Sequence, residues 1–222
     1  FGASEIGQVL PLMAKLPEAA QVQLMAVLAG YPAEAVLPAV LKAATGPLAS
    51  VRMEAVRTIG RIGNASAVST LALKAAKTTG DAQALARETL ARRKGTDVDN
   101  AVINQLKTES DEKVKAELVT AAGARRIAAG KPVLMELVKG GTPALRLKAI
   151  GALKDVATPA DLRDLLELLF ALDDETAREA MQDTVAGVAL GIPRPLARGD
   201  AAESLLATEA TARKKADLLR VL

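Results

Sequence analysis

The chain has 222 residues, 50% apolar and 25% charged, with a formal net charge of +3, a composition that supports a buried core and excludes a disordered chain. It has no Cys and no His, which removes thiol nucleophiles, imidazole bases, disulfides and most zinc or haem ligation. Two Phe, one Tyr and no Trp leave the core to Ala, Leu, Val and Ile, which suits closely packed helices.

Apolar runs are broken by Lys, Glu or Pro well short of the ~18 residues a membrane span needs, and no basic-then-apolar leader opens the chain. No membrane insertion is expected, and the compartment is not written in the sequence. The charge is unevenly placed. Residues 1–50 carry one more acid than base, residues 51–150 an excess of 8 basic groups, and residues 151–222 an excess of 4 acidic ones, a gradient able to steer a charged partner.

Taken in chain order, two kinds of helical stretch alternate. Val9-Leu10-Pro11-Leu12 opens the first, and it resembles Val36-Leu37-Pro38-Ala39 further on. Next comes a weak copy of a recurring phrase, Val22-Gln23 with Ala26: an apolar residue, a basic or polar one, then small or aliphatic residues three and seven further along. Val36, Leu37, Val40 and Leu41 form an amphipathic stretch, followed by the clearest phrase, Val51-Arg52 with Ala55 and Ile59. The alternation continues through Val68, Leu71, Ala72 and Ala75; Ala86-Arg87 with Leu90; Val98, Val102, Ile103 and Leu106; and Val114-Lys115 with Leu118 and Ala122. It runs on through Val133, Leu134, Leu137 and Val138; Leu145-Arg146 with Ala149 and Leu153; Leu162, Leu165, Leu166 and Leu169; and Ala177-Arg178 with Met181 and Val185. An irregular connection with Gly191, Pro193, Pro195 and Gly199 precedes a last copy at Ala212-Arg213 with Ala216.

Apolar residues at these i, i+3, i+4 and i+8 spacings line one face of a helix. The phrase therefore marks one helix of each repeat and the stretch after it a second. Gly30, Gly60, Gly95 and Gly123 fall where a left-handed residue would end a phrase helix. Thr158-Pro159-Ala160-Asp161 has the chemistry of a helix start, with a Thr cap, Pro at the first helical position and an acid three residues on. The second residue of successive phrases stands at 23, 52, 87, 115, 146, 178 and 213, giving steps of 29, 35, 28, 31, 32 and 35. A period in that range belongs to repeat architectures.

The Val-Arg-x-x-Ala-Val phrase at Val51 to Val56, its variant from Leu145 to Ile150 and the Val36-Leu37-Pro38 opening resemble HEAT repeats of the short type also found in phycobilisome-lyase-like proteins. The resemblance covers essentially the whole chain. It implies an all-α fold, a right-handed α-α superhelix of about seven helix pairs forming a single solenoid over residues 1–222, with residues 191–200 as its irregular loop. Both ends are expected to be cut from a longer array, because neither carries a polar cap. The alanine-rich, cysteine-free composition agrees with a bacterial source. Tetratricopeptide repeats are excluded by their missing Trp, Tyr and Phe pattern.

Catalytic chemistry finds little support. Asp173, Asp174 and Glu175, and Asp97 with Asp99, read as helix-start acids; Asp174 and Arg178, like Asp111 and Lys115, are placed for i,i+4 ion pairs. Asp97-Val98-Asp99-Asn100 lacks the Gly and the distal Glu of a calcium loop, and the stretch from Gly123 to Lys131 lacks the spacing of a phosphate loop. No catalytic, metal or cofactor site is expected, and no enzyme. Arg52, Arg87, Lys115, Arg146, Arg178 and Arg213 are expected to tie repeats together through carboxylates or loop carbonyls.

In curved arrays the second helices line the inner surface, so the expected partner face comprises Lys42, Lys74, Lys77, Asn104, Lys107, Glu136, Lys139, Arg163, Asp164 and Glu167, with Glu34 and Asn100 alongside. The leading expectation is a protein-interaction or scaffolding segment. Two alternatives accompany it: a bilin-lyase-like subunit, implied by the resemblance, and weak nucleic-acid binding through the basic stretch at 51–150. The latter lacks the aromatic platforms that single strands stack on.

Overall fold

A computed structural model describes residues 3–92 and 95–191. Every regular element among them is helical. The α-helices are α1 (Ala3–Val9), α2 (Glu18–Leu28), α3 (Ala33–Ala44), α4 (Ala49–Ile62), α5 (Val68–Lys77), α6 (Gly80–Arg92), α7 (Thr96–Thr108), α8 (Glu112–Ala124), α9 (Lys131–Gly140), α10 (Pro143–Val156), α11 (Leu162–Ala171) and α12 (Glu175–Ala189). Short 3-10 turns at Leu10–Lys15, Ala65–Ala67, Ala128–Gly130 and Pro159–Asp161 follow α1 or lead into α5, α9 and α11. No described helix is long and apolar enough to cross a membrane. The expected loop lies, beyond Gly191, outside the described residues, as does the last phrase at Arg213.

The chain forms two compact units, residues 1–121 and 122–222. In the first, the phrase helices α2, α4 and α6 stack in one layer, while in the other α1 lies beside α3 and α5 beside α7. In the second, α10 stacks on α12 and α9 on α11. This two-layer arrangement is that of an all-α solenoid. The most extensive pairings are α3 with α4, α5 with α6 and α9 with α10, and α11 packs on α12 in the same manner. Each of these phrase helices thus packs on the helix before it, and 3-10 turns follow the phrase helices α4, α8 and α10.

Each helix lies where its apolar stripe puts it. Val68, Leu71, Ala72 and Ala75 of α5, Val98, Val102, Ile103 and Leu106 of α7, and Leu162, Leu165, Leu166 and Leu169 of α11 are all buried. So are the phrase residues Val51, Ala55 and Ile59, and Leu145, Ala149 and Leu153. The weak first phrase is the exception: Ala26 is exposed, and Met25 and Leu28 carry the core of α2. Small side chains between helices are what permit such close layers.

The repeat is also written in the hydrogen bonds. Ser50 Oγ donates to Glu18, Thr58 Oγ1 to the Met25 carbonyl at 2.8 Å, the Ala65 N–H to Asp97 at 3.3 Å, Arg87 to Glu117 and Lys131 to Asp161. Lys77 reaches Asp111, and Thr184 Oγ1 lies 3.4 Å from the Ile150 carbonyl. Partners in these pairs are 30 to 34 residues apart, one repeat along the chain. Thr58 and Thr184 are fully buried or nearly so, at 0% and 2% exposure, and their bonds satisfy hydroxyls that would otherwise cost stability.

Glycine does not end the phrase helices in the expected way. Gly60 lies inside α4 and Gly123 inside α8, and neither has a positive φ. Gly95, at φ 137°, precedes α7 instead. The left-handed residue that closes α8 is Arg126, at φ 54°. The Ile127 N–H donates to the Ala122 carbonyl at 3.0 Å and the Arg126 N–H to that of Gly123 at 2.8 Å, the bond pair of a Schellman motif. A side chain strains that conformation and glycine does not. Arg126→Gly is therefore expected to raise stability by about 1 kcal/mol, read as a higher urea midpoint with unchanged slope.

Candidate protein-binding face

The expected face maps onto the outer sides of α3, α5, α7, α9 and α11. In the first unit Lys42, Lys77, Asn104 and Lys107 are exposed and Lys74 is half-buried; in the second Glu136, Lys139, Arg163, Asp164 and Glu167 are all exposed. Exposure follows from the helical period: these residues stand opposite the buried stripes of their own helices.

The two groups differ electrically. Lys42, Lys74 and Lys107 form no side-chain hydrogen bond or ion pair with the described residues, whereas Lys77 bonds Asp111 at the start of α8. Burial, then the neighbouring Arg52 charge, holds the Lys74 ammonium below the ordinary lysine range. In the second unit the charges pair among themselves, Glu136 with Lys139 at 3.6 Å and Arg163 with Glu167 at 3.4 Å. Such exposed pairs contribute little to stability and leave that surface mixed in sign.

Two concavities touch these residues. Lys42 borders an apolar pocket of about 340 Å³ in the first unit, with Leu10, Pro11, Met13, Ala39 and Val51 among its walls. Lys139 borders one of about 330 Å³ in the second, with Arg146, Leu168, Leu172 and Asp173. Both could take an aliphatic side chain beside a charged one.

The recurring basic residues face elsewhere. Arg52 donates to the Gly46 carbonyl at 3.0 Å and to that of Pro47, closing the α3–α4 turn. Arg146 does the same for the α9–α10 turn, through Val138 at 3.0 Å and Gly141 at 3.4 Å. Arg87 instead makes a two-pronged bond to Glu117 of the next phrase helix, at 2.7 and 2.6 Å, the geometry that makes Arg–carboxylate pairs strong. Arg178 pairs with Glu175 at 2.6 Å, not with Asp174, whose carboxylate caps α12 through the Ala177 N–H at 2.7 Å. Asp111 likewise turns from Lys115 to Lys77 and to the N–H groups of Lys113 and Val114. Lys115 makes no such bond with the described residues. In both cases the carboxylate bonds the unpaired N–H groups of a helix start, which are rigidly placed, ahead of a long side chain that must be ordered.

Sequence reasoning missed the acids that complete these ties. Asp161 is the fullest case, accepting from Lys131 Nζ at 2.7 and 2.8 Å and from the N–H and hydroxyl of Thr158 at 2.7 and 2.8 Å. Burial alone would raise its pKa, but the bonds from Lys131 and Thr158 outweigh it and hold the carboxyl below its ordinary value. The signal was available as an acid one period after a base. Among the described residues no group of three or more carboxylates is placed to hold a metal ion.

Paired helices in two layers, tied at one-repeat intervals, define a helical repeat protein. Residues 100–186 match the family model for HEAT repeats, and with the packed helices that match fits a HEAT-like repeat protein. HEAT repeats generally serve as protein-interaction or scaffold modules and are typically non-enzymatic. No curated protein matches the chain.

Proposed function

We propose that the protein is a non-enzymatic interaction or scaffolding element that binds protein through the exposed residues of α3, α5 and α7 in the first unit and of α9 and α11 in the second. The observation that carries this reading is that Lys42, Lys74 and Lys107 of α3, α5 and α7 have no ion-pair partner among the described residues, beside an apolar pocket at Lys42. A surface of that kind attracts an acidic protein and gives it one apolar anchor. With so few aromatic side chains in the chain, the hot spots of a high-affinity interface are scarce, so the complex is governed by charge and weakens as salt rises.

Photo-crosslinking in the native host tests this. A photoreactive residue replaces Lys42, Lys107, Lys139 or Glu167 on the second helices, or Lys113 or Lys148 on exposed positions of α8 and α10 as controls. The expected result is one protein captured from the second-helix positions and absent from the controls. Capture only at the controls, or of nucleic acid in place of protein, would overturn the reading.

A further inference from the structure

One concavity of the first unit lies on the phrase-helix side, away from the residues of the proposed face. It is a groove of about 910 Å³ between α4 and α6, lined by Arg57, Gly60 and Arg61 on one side and by Glu88, Thr89 and Arg92 on the other. Its shape follows from the sequence. Positions 57, 60 and 61 fall on one face of α4, and 88, 89 and 92 on one face of α6. Where the two helices meet, α4 presents a glycine: a Cβ at Gly60 would only just reach Thr89, at 3.6 Å from its methyl group. The missing side chain leaves the floor open.

Three guanidinium groups line this groove, opposed by Glu88 within it and by Glu54 at Arg57, and Arg61 is itself engaged in an interaction; the balance is an excess of basic groups. The acid within the groove, Glu88, is a weak competitor. Arg57 bonds Glu54 through one contact at 3.0 Å, and Arg92 bonds Glu88 through one at 2.9 Å, and the Arg side chains remain 52% and 80% exposed. The Arg92–Glu88 pair, exposed on both sides, is worth little and exchanges readily with an incoming anion, whereas Glu54, only 13% exposed, keeps Arg57 at the rim by a single contact. A guanidinium presents its donors as a flat fork matched to two oxygens of a carboxylate, and half-buried Leu85 at the groove's edge offers an apolar contact between charges. No aromatic side chain lines the groove, so it has nothing for a nucleic-acid base to stack on.

We propose that the α4–α6 groove is a second docking site, for an acidic peptide segment whose carboxylates are held by Arg57, Arg61 and Arg92. It does not depend on the second-helix face and lies on the opposite layer. The segment lies along the groove with acidic side chains reaching the arginines and an aliphatic one over Leu85.

The test measures binding of the full chain to a fluorescein-labelled peptide of alternating Glu, Asp and Leu by fluorescence anisotropy at low and physiological salt. Three variants are compared: Arg57→Glu with Arg61→Glu and Arg92→Glu; Gly60→Leu, which fills the groove at constant charge; and Lys42→Glu with Lys77→Glu and Lys107→Glu, which makes the same change in net charge on the other layer. Helical circular dichroism and the thermal midpoint of each variant confirm folding. The groove triple variant is expected to weaken binding about tenfold or more and Gly60→Leu about fivefold, while the second-helix variant changes it less than about twofold. Equal losses in the two triple variants would mean net charge alone attracts the peptide and would overturn the proposal. So would undiminished binding by Gly60→Leu, or tighter groove binding of a DNA duplex than of the peptide. Loss confined to the second-helix variant would sink the groove while leaving the other face standing.

Discussion

Gly123→Val is expected to destabilise the protein by about 3 kcal/mol, while Gly151→Ala, also in a helix of the second unit, is expected to stabilise it by about 0.5–1 kcal/mol. The contrast comes from what each new side chain would meet. A Cβ at Gly123 of α8 would stand 2.9 Å from the Cα of Ala152 and 3.1 Å from its Cβ, whereas nothing lies within 4 Å at Gly151 of α10. Ala152 is itself buried at 6% exposure, so α8 and α10 touch almost backbone to backbone there. Replacing a helical glycine gains up to about 1 kcal/mol of propensity, but forcing atoms into a packed contact costs about 1–3 kcal/mol. The clash is with a rigid helix and not with the end of a flexible side chain, so it wins: Gly123→Ala loses about 1 kcal/mol net, and the branched, bulkier valine loses more. Urea unfolding of the three variants decides it. Equal stabilisation by Gly123→Ala and Gly151→Ala would show that the two helices do not approach as described.

Asp161→Ala is expected to cost about 2–3 kcal/mol. The carboxylate simultaneously pairs with Lys131 of α9 and closes the start of α11 with Thr158, and the paired side chains are only 25% and 15% exposed. Alanine removes the cap, worth about 1 kcal/mol, and leaves a partly buried ammonium without its partner, which costs more than the pair itself contributed. The same site gives a pH signature. Because the folded-state pKa of Asp161 is held below its ordinary value of 3.8, its contribution is complete above that value and is lost as the pH falls through the lower folded one. The stability difference between wild type and Asp161→Asn should therefore be constant near neutral pH and shrink on acidification below about pH 4. A difference that grows on acidification would contradict the assignment.

How far these features were legible depends on their range. The stripe Val98, Val102, Ile103 and Leu106 could be read directly and is buried as read, because which side of a helix is apolar is a local, periodic property. The start at Thr158 and Asp161 was legible for the same reason. Ala26 failed because a weak phrase does not fix register: Met25 and Leu28, larger and more apolar, hold the α2 core. Gly60 and Gly123 misled because a glycine near a helix end can serve close approach between helices as well as termination, and only the neighbour decides which. Arg126 took the terminating role although its side chain disfavours it. The partners of Arg87 and Lys131 stand 30 residues away, beyond any local pattern, yet at the distance the period itself defines. The outward residues of the expected face were legible as exposed. Which of them are already paired, and the groove opened by Gly60, depended on side-chain placement between helices.

If the chain is an array in which each repeat is held mainly by its neighbours, damage should stay local. Hydrogen exchange of Asp161→Ala against wild type, read segment by segment, tests this most directly. The expected result is faster exchange through α9 to α12, with α2 to α6 of the first unit at wild-type rates. Equal acceleration from α2 to α12 would show one cooperative globule instead of stacked repeats.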